Sequence, residues 1–203
     1  MYEKNEFLKR LELIYKIYFN EEDDVKTISD DRIFTIEKKL NRSIPEPLKI
    51  FYSIFGRKEV FLKCMYHIIP LEQLNIENEI MTIATENQGV CSYGWNFNSN
   101  KMVYLMNNYT EEIELDIENF ILYLLAIQGT GFFSCVAQMD ISEADLLDKY
   151  FSKISKVSGQ YSVYCYHDKI IGFISKTDVF LSAKSDDIMN EVETQHNLPL
   201  NYC

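Results

Sequence analysis

The spacing of hydrophobic residues predicts three helices in the first part of the chain. One helical stripe at about residues 5–19 collects Phe7, Leu8, Leu11, Ile14, Tyr15 and Tyr18. A second helix begins at Asp30 or Asp31, both favourable N-caps, and ends at Asn41. A third begins near Pro45, which suits a first helical turn, and ends at Gly56.

The middle of the chain changes to short β-branched or aromatic segments separated by turn residues, which is typical of an antiparallel sheet. The predicted strands are residues 60–69, 80–85, 90–97 and 102–107, with a brief helical turn at 70–74 and a hairpin loop at 98–101. Asp116 then caps a strongly apolar helix that runs to Gln128 and ends at Gly129-Thr130-Gly131. We expect this helix to pack on the sheet.

The last third repeats this pattern on a smaller scale. Residues 142–145 resemble a capping box that opens a helix. Its inward side chains are predicted to be Leu146, Leu147, Tyr150, Phe151 and Ile154. Residues 161–166 and 170–174 form a predicted hairpin, followed by a strand near 179–181 and a helix near 186–193. Without a linker in the composition, we predict one α+β domain over residues 1–203, in which the C-terminal third extends the sheet.

Charge narrows the classes of partner. The 203 residues carry a formal net charge of -11, which argues against binding to nucleic acid or to an anionic membrane surface. The same charge suits a basic protein partner, and simple solvation explains it equally well. The acidic run Glu21 to Asp24 is predicted to be a solvated loop, and Glu111 and Glu112 are predicted to lie in polar turns.

The cysteines and the N-terminus indicate a cytoplasmic protein. Five cysteines, an odd number without a CxxC pair, are typical of reduced thiols. The N-terminal segment has acidic residues throughout and lacks the apolar core of a signal peptide. The longest apolar run, residues 120–127, is too short to span a bilayer.

Catalytic and metal-binding patterns are weak. The three histidines are isolated, and the chain has neither GxSxG nor HExxH. Two pairs, Cys64 with His67 and Cys165 with His167, could supply metal ligands, but core cysteines and solvent-facing histidines explain them better. Gly129-Thr130-Gly131 lacks both phosphate-binding glycine patterns. We therefore expect no cofactor and no metal.

The segment Glu86 to Trp95 is the candidate site. Asn87 and Gln88 can each donate and accept hydrogen bonds, and Gly89 permits a positive φ. The residues allow two interpretations: a structural turn between two strands, or a polar binding rim over a sheet with Trp95 as its aromatic anchor.

Three motifs resemble the SUKH superfamily, which contains fungal cell-wall-synthesis regulators and many bacterial immunity proteins. The first is Ile36-Glu37-Lys38-Lys39-Leu40 with Ile44 to Tyr52 and Gly56, the second is Ile83 to Val90 with Trp95, and the third is the helix from Phe120 to Gln128. Together they cover about residues 33–128, whereas residues 132–203 form an unmatched extension. The resemblance implies a bent, mostly antiparallel sheet packed by helices, and no enzymatic activity.

The resemblance also implies a function. Bacterial members are largely thought to neutralise polymorphic toxins, many of them nucleases. We therefore expect an immunity protein that binds a basic toxin through a concave sheet face near Glu86, Asn87, Gln88 and Trp95. One alternative is a regulatory scaffold that binds endogenous proteins, as the fungal relatives suggest. Another is a hydrolase in the C-terminal third that uses Ser162, Cys165 or His167. The sequence predicts no particular oligomeric state.

Overall fold

The protein has an α+β fold. A computed structural model describes residues 2–19, 28–56, 58, 62–106 and 109–203. Over these residues the helices are α1 Tyr2–Tyr18, α2 Asp30–Leu40, α3 Glu46–Phe55, α4 Ile117–Phe132, α5 Asp145–Tyr150 and α6 Asp186–His196. The predicted acidic loop at residues 21–24 lies outside the described residues, as do residues 60, 61 and 107 of two predicted strands.

The described strands form two antiparallel sheets. Those of the first are β1 Tyr66–Ile68, β2 Ile76–Glu77, β3 Ile80–Glu86, β4 Ser92–Asn96, β5 Lys101–Met106 and β6 Tyr109–Ile113. Those of the second are β7 Cys135–Asp140, β8 Ser152–Lys153, β9 Val163–Tyr166, β10 Ile170–Ile174, β11 Asp178–Ala183 and β12 Asn201–Tyr202. Short 3-10 helices lie at Leu71–Gln73 and Ile141–Glu143.

Contacts group the chain into two compact units. One comprises residues 1–8 and 24–121, and the other comprises residues 9–23 and 122–203. The first unit holds the sheet ordered β1-β3-β4-β5-β6, with β2 paired to β3. Fully buried Tyr52 on α3 donates its hydroxyl to the carbonyl oxygen of Ile69, 2.6 Å away, and so ties α3 to the end of β1.

The second unit holds the sheet ordered β12-β7-β11-β10-β9-β8. The prediction that the C-terminal third extends the first sheet is therefore wrong. The reason is β7, which pairs with β11 on one side and β12 on the other and gives these strands a centre of their own. Alternate residues Cys135, Ala137 and Met139 are buried along β7. That residues 1–203 form one domain remains a prediction.

Most predicted elements are confirmed. The stripe on α1 is buried except for half-buried Leu8, α2 ends at Asn41 in the left-handed conformation (φ 51°), and α3 ends at Gly56. The N-cap of α2 is Ser29, not Asp30 or Asp31. Both aspartates lie instead in the first turn, where the helix dipole favours negative charge.

Helix α4 continues past its predicted end, through Gly129-Thr130-Gly131 to Phe132. At Gly129 the reason is close packing. A Cβ there would lie 2.8 Å from the hydroxyl of Tyr18 and 3.2 Å from Cβ of Ser182. The glycine therefore makes room for neighbouring side chains and does not end the helix.

Three further predictions are wrong. Glu111 and Glu112 lie in β6 and not in a turn, because an exposed edge strand can be polar on both faces. Ser142 is not the N-cap of the predicted helix; the side chain of Asp140 caps this segment by accepting from Ser142 N–H. Helix α5 ends at Tyr150, before Ile154, because the chain turns there into β8.

Gly129 and Gly131 lie in the same helix and give a matched test. Gly129→Ala should lower the free energy of unfolding by about 1–2 kcal/mol, because the new methyl group overpacks a filled site. Exposed Gly131→Ala should raise it by about 0.5–1 kcal/mol through helix propensity alone. Urea unfolding measures both, and equal effects would contradict the packing role of Gly129.

Glu37 anchors the connection between α2 and α3. Its carboxylate accepts hydrogen bonds from the N–H of Ile44 at 2.8 Å and from the hydroxyl of Ser43 at 2.9 Å, and Lys49 lies 3.1 Å away. Burial alone would raise the pKa of Glu37, but these interactions outweigh it and lower the pKa below its ordinary value. The charged form is therefore the one that stabilises this connection.

We predict acid sensitivity from this site. A folded-state pKa below the unfolded value of about 4.3 stabilises the protein above that value, and the stabilisation is lost as pH falls through the folded pKa. Glu37→Gln should cost about 1 kcal/mol of unfolding free energy at neutral pH, and the difference should vanish in acid. Exposed Glu112→Gln is the control, with a smaller effect expected in urea unfolding at both pH values.

Candidate functional site

The turn between β3 and β4 is closed by backbone hydrogen bonds. Glu86 N–H donates to the carbonyl oxygen of Cys91 at 2.9 Å, and Gly89 N–H donates to that of Glu86 at 2.8 Å. Gly89 has φ 71°, which is left-handed backbone that favours glycine, although a Cβ there would meet no atom within 4 Å. Conformation, and not lack of space, is thus the reason for glycine.

Asn87 and Gln88 differ in role. Both are exposed, but the Asn87 amide donates a hydrogen bond to the carbonyl oxygen of Cys64, in the segment that leads into β1. Gln88 makes no side-chain hydrogen bond within the described part of the chain. Asn87 therefore joins two segments of the fold, and Gln88 is available to a partner.

Exposed apolar side chains surround this turn. Strand register brings the start of β1, the β3–β4 turn, the end of β5 and the start of β6 to one end of the first sheet, because Tyr66 pairs with Glu86, Ser92 with Leu105 and Met106 with Tyr109. Seven large hydrophobic side chains in the described residues are exposed, and four lie at this end. We call these four the sheet-end patch: Met65 (42% exposed), Val90 (53%), Met106 (37%) and Tyr109 (53%).

An aromatic cluster lies on one face of the sheet near the patch. The ring of Tyr93 lies 5.7 Å from that of Tyr66, 5.5 Å from that of Tyr104 and 5.3 Å from that of Phe120 on α4, measured between centroids. The hydroxyl of Tyr104 lies 3.6 Å from Sδ of Met106. Aromatic pairs at such distances stabilise the packing of the strands that carry them, each by about 0.5–1.5 kcal/mol.

The charges near this end are mainly negative. Pairing across the sheet puts Glu86 opposite Tyr66, and Glu111 opposite Tyr104. Burial raises the pKa of Tyr66, and the negative charge of Glu86 contributes to the increase. Lys63 brings one positive charge nearby, beside its bridge partner His67. The rim of the patch therefore carries carboxylates on β3 and β6.

Trp95 lies away from the turn. It is half-buried and pairs with Met81 on one side and Met102 on the other, both of which are fully buried. It follows Cys91 by four residues along the strand, about 13 Å at strand spacing. The structure thus brings Glu86, Asn87 and Gln88 together with the sheet-end patch and leaves Trp95 farther along the sheet.

Sequence reasoning missed the four patch residues. A hydrophobic residue in a turn was the available signal, because Val90 directly follows Gly89 and Tyr109 follows an Asn-Asn pair. Single exposed hydrophobic residues are ordinary on protein surfaces. Only strand register shows that these four lie together.

The other candidates form no catalytic constellation. Cys165 and His167 line one cavity of about 140 Å³, and none of its described lining residues is a carboxylate. Burial raises the pKa of Cys165 far above its ordinary value, which keeps the thiol protonated. The hydroxyl of Ser162 donates to the carbonyl oxygen of Val157 at 3.1 Å.

Among the described residues, no group of three or more His, Cys, Asp or Glu side chains could hold a metal ion. Among the described helices, none is both long and apolar enough to cross a membrane. Comparisons with protein-family models, curated proteins and solved structures give no match.

Two neighbouring substitutions test the turn. Asn87→Ala should lower the free energy of unfolding by about 1 kcal/mol, because it leaves the carbonyl group of Cys64 without this donor. Gln88→Ala should change it by less than about 0.5 kcal/mol. Urea unfolding can be followed by the fluorescence of Trp95, the single tryptophan. Equal losses would contradict the different roles of the two amides.

Proposed function

We propose that this chain is a non-enzymatic protein-binding module whose partner docks on the sheet-end patch. The observation that carries the proposal is that Met65, Val90, Met106 and Tyr109 are all exposed at one end of the first sheet, the end that also holds Glu86 and Gln88. Tyrosine and methionine are enriched in protein interfaces, and charged groups commonly form the rim. The arrangement fits a small apolar centre with a polar border.

We propose that the partner is a basic toxin and that this chain is the immunity protein that neutralises it. Support comes from the resemblance of residues 33–128 to the SUKH superfamily and from the net charge of -11. A toxin that cleaves nucleic acid needs a basic substrate face, which an acidic inhibitor attracts from a distance and can cover. The same proposal places this protein in the cytoplasm, where such a toxin acts.

Binding is favoured over hydrolysis by the state of the candidate nucleophiles. A nucleophilic cysteine needs an accessible thiolate, but Cys165 is fully buried and its pKa is raised. A nucleophilic serine needs a base within hydrogen-bonding reach, but the hydroxyl of Ser162 donates to a backbone carbonyl group. Neither the burial of Cys165 nor the hydrogen bond of Ser162 activates the side chain as a nucleophile.

Patch variants test the proposal. Tyr109→Ser should weaken binding of the toxin encoded beside this gene at least tenfold, because a central interface tyrosine contributes about 2 kcal/mol or more. Phe34→Ser is the matched control, since Phe34 is similarly exposed (54%) but lies on α2. Titration calorimetry measures the affinity, and rescue of growth on co-expression measures neutralisation.

Three outcomes separate the alternatives. Loss of binding with Tyr109→Ser alone supports the patch, and equal loss with Phe34→Ser contradicts it. A wild-type protein that neither binds nor neutralises a neighbouring toxin contradicts the immunity function. Capture of endogenous regulatory proteins in that case would favour the scaffold function instead.

A further inference from the structure

The outer strand β6 offers a second kind of contact beside the sheet-end patch. Within the described residues it is the last strand of the first sheet and pairs with β5 alone. The four residues from Tyr109 to Glu112 are all exposed. An edge strand of this kind carries backbone N–H and C=O groups that another chain can pair with.

Hydrogen bonds at both ends of β4 fix which way its backbone groups point. Cys91 accepts from β3 through its carbonyl oxygen, and Phe97 N–H donates to the carbonyl oxygen of Glu79 at 2.9 Å, just before β3. Direction alternates along an antiparallel strand, so the odd-numbered residues of β4 point their backbone groups toward β3. Ser92, Gly94 and Asn96 therefore point theirs toward β5.

Register carries this alternation across to β6. Asn96 pairs with Lys101, so the odd-numbered residues of β5 face β4 and the even-numbered residues face β6. Met106 and Tyr104 then exchange hydrogen bonds with Tyr109 and Glu111. The N–H and C=O groups of the alternate residues of β6, Thr110 and Glu112, are left pointing away from the sheet.

Side chains on β6 specify the charge of an incoming strand. Glu112 is neutralised in part by Lys101, 2.9 Å away, and this hydrogen bond lowers the pKa of Glu112. Glu111, on the opposite face with Tyr109, makes no ion pair within the described part of the chain. A Lys or Arg side chain opposite Glu111 would supply the missing charge.

The same carboxylates disfavour a second copy of this chain. Two copies of β6 paired antiparallel about Glu111, its middle residue, would place Glu111 of one copy directly opposite Glu111 of the other. Like charges directly across a strand pair are destabilising, and each copy also carries a net charge of -11. The edge repels itself and attracts a basic strand.

We infer that β6 accepts an extended basic segment of the partner as an additional strand of the first sheet. The inference rests on the proposed function and specifies how the partner is held. Backbone groups of Thr110 and Glu112 provide the hydrogen bonds, Glu111 selects a basic side chain, and Tyr109 joins the new strand to the sheet-end patch.

Short synthetic peptides test the edge in the full-length protein. A peptide that alternates lysine and valine should bind at least about fivefold more tightly than one with glutamate in place of lysine. Glu111→Lys should reverse this preference. Hydrogen exchange should show new protection at the N–H groups of Thr110 and Glu112. Equal binding of both peptides, or binding of neither, would overturn the inference.

Backbone methylation separates strand pairing from simple charge attraction. One version of the lysine peptide carries N-methyl groups on its odd residues and another on its even residues. In an extended peptide the N–H groups of odd and even residues point to opposite edges, and a paired strand uses only one of these edges. One version should keep its affinity and the other should lose it. If both bind like the unmodified peptide, the contact is not a strand and the inference fails.

A proline variant distinguishes this inference from the proposed function. Thr110→Pro removes an N–H that points away from β5, so the ladder within the sheet is kept, and Thr110→Val retains the N–H as a control. The neighbouring toxin should bind the valine variant normally and the proline variant at least about fivefold more weakly. Normal binding by a folded proline variant overturns the edge contact and leaves the proposed function intact.

Discussion

The hydrogen bond from Glu86 N–H to the carbonyl oxygen of Cys91 closes the turn on which the first sheet depends. It fixes the pairing of β3 with β4, and β4 in turn sets the register of β5 and β6. A slip by one residue would move every side chain of a strand to the opposite face. Trp95 would then leave buried Met81 and Met102, and the cost of that exposure selects a single register.

The same closure determines where the sheet-end patch lies. The start of β1 and the pair Met106 and Tyr109 lie at the same end of the sheet as the turn, and Asn87 ties the segment before β1 to the turn through the carbonyl group of Cys64. Strand pairing is what brings these four exposed hydrophobic residues to the same end of the sheet.

The sequence predicts elements whose side chains are segregated by burial. Helices α1 to α3 follow from periodicity because most of each predicted stripe is buried, whereas strands β3 to β5 follow from β-branched and aromatic residues between turn residues. Strand β6 has no buried face to produce such a pattern, and its pairing alone makes it a strand. Gly129 looked like a helix end because a single sequence does not show the nearby hydroxyl of Tyr18.

The sequence singled out the polar residues of the candidate site but not the hydrophobic residues of the sheet-end patch. Local chemistry marks Glu86, Asn87 and Gln88, since an amide-rich turn before a glycine is unusual in this chain. Local chemistry also joined Trp95 to them, although strand geometry carries it about 13 Å from Cys91. Residues that converge through long-range pairing leave no pattern along the chain, so the patch depends on tertiary structure alone.

The negative charge on β6 opposes self-association at an edge strand that lies next to exposed hydrophobic residues. An open strand beside exposed hydrophobic residues invites association with any extended chain, including another copy of this one. Acidic side chains at Glu111 and Glu112 oppose the identical copy, because its edge carries the same charges in the same places. They leave a basic chain free to approach and add attraction to it. Lysines on the edge would prevent self-pairing equally well, but they would also repel a basic partner. In the strand addition that we propose, the negative charge on β6 therefore selects a basic partner, which protection against self-pairing alone does not require.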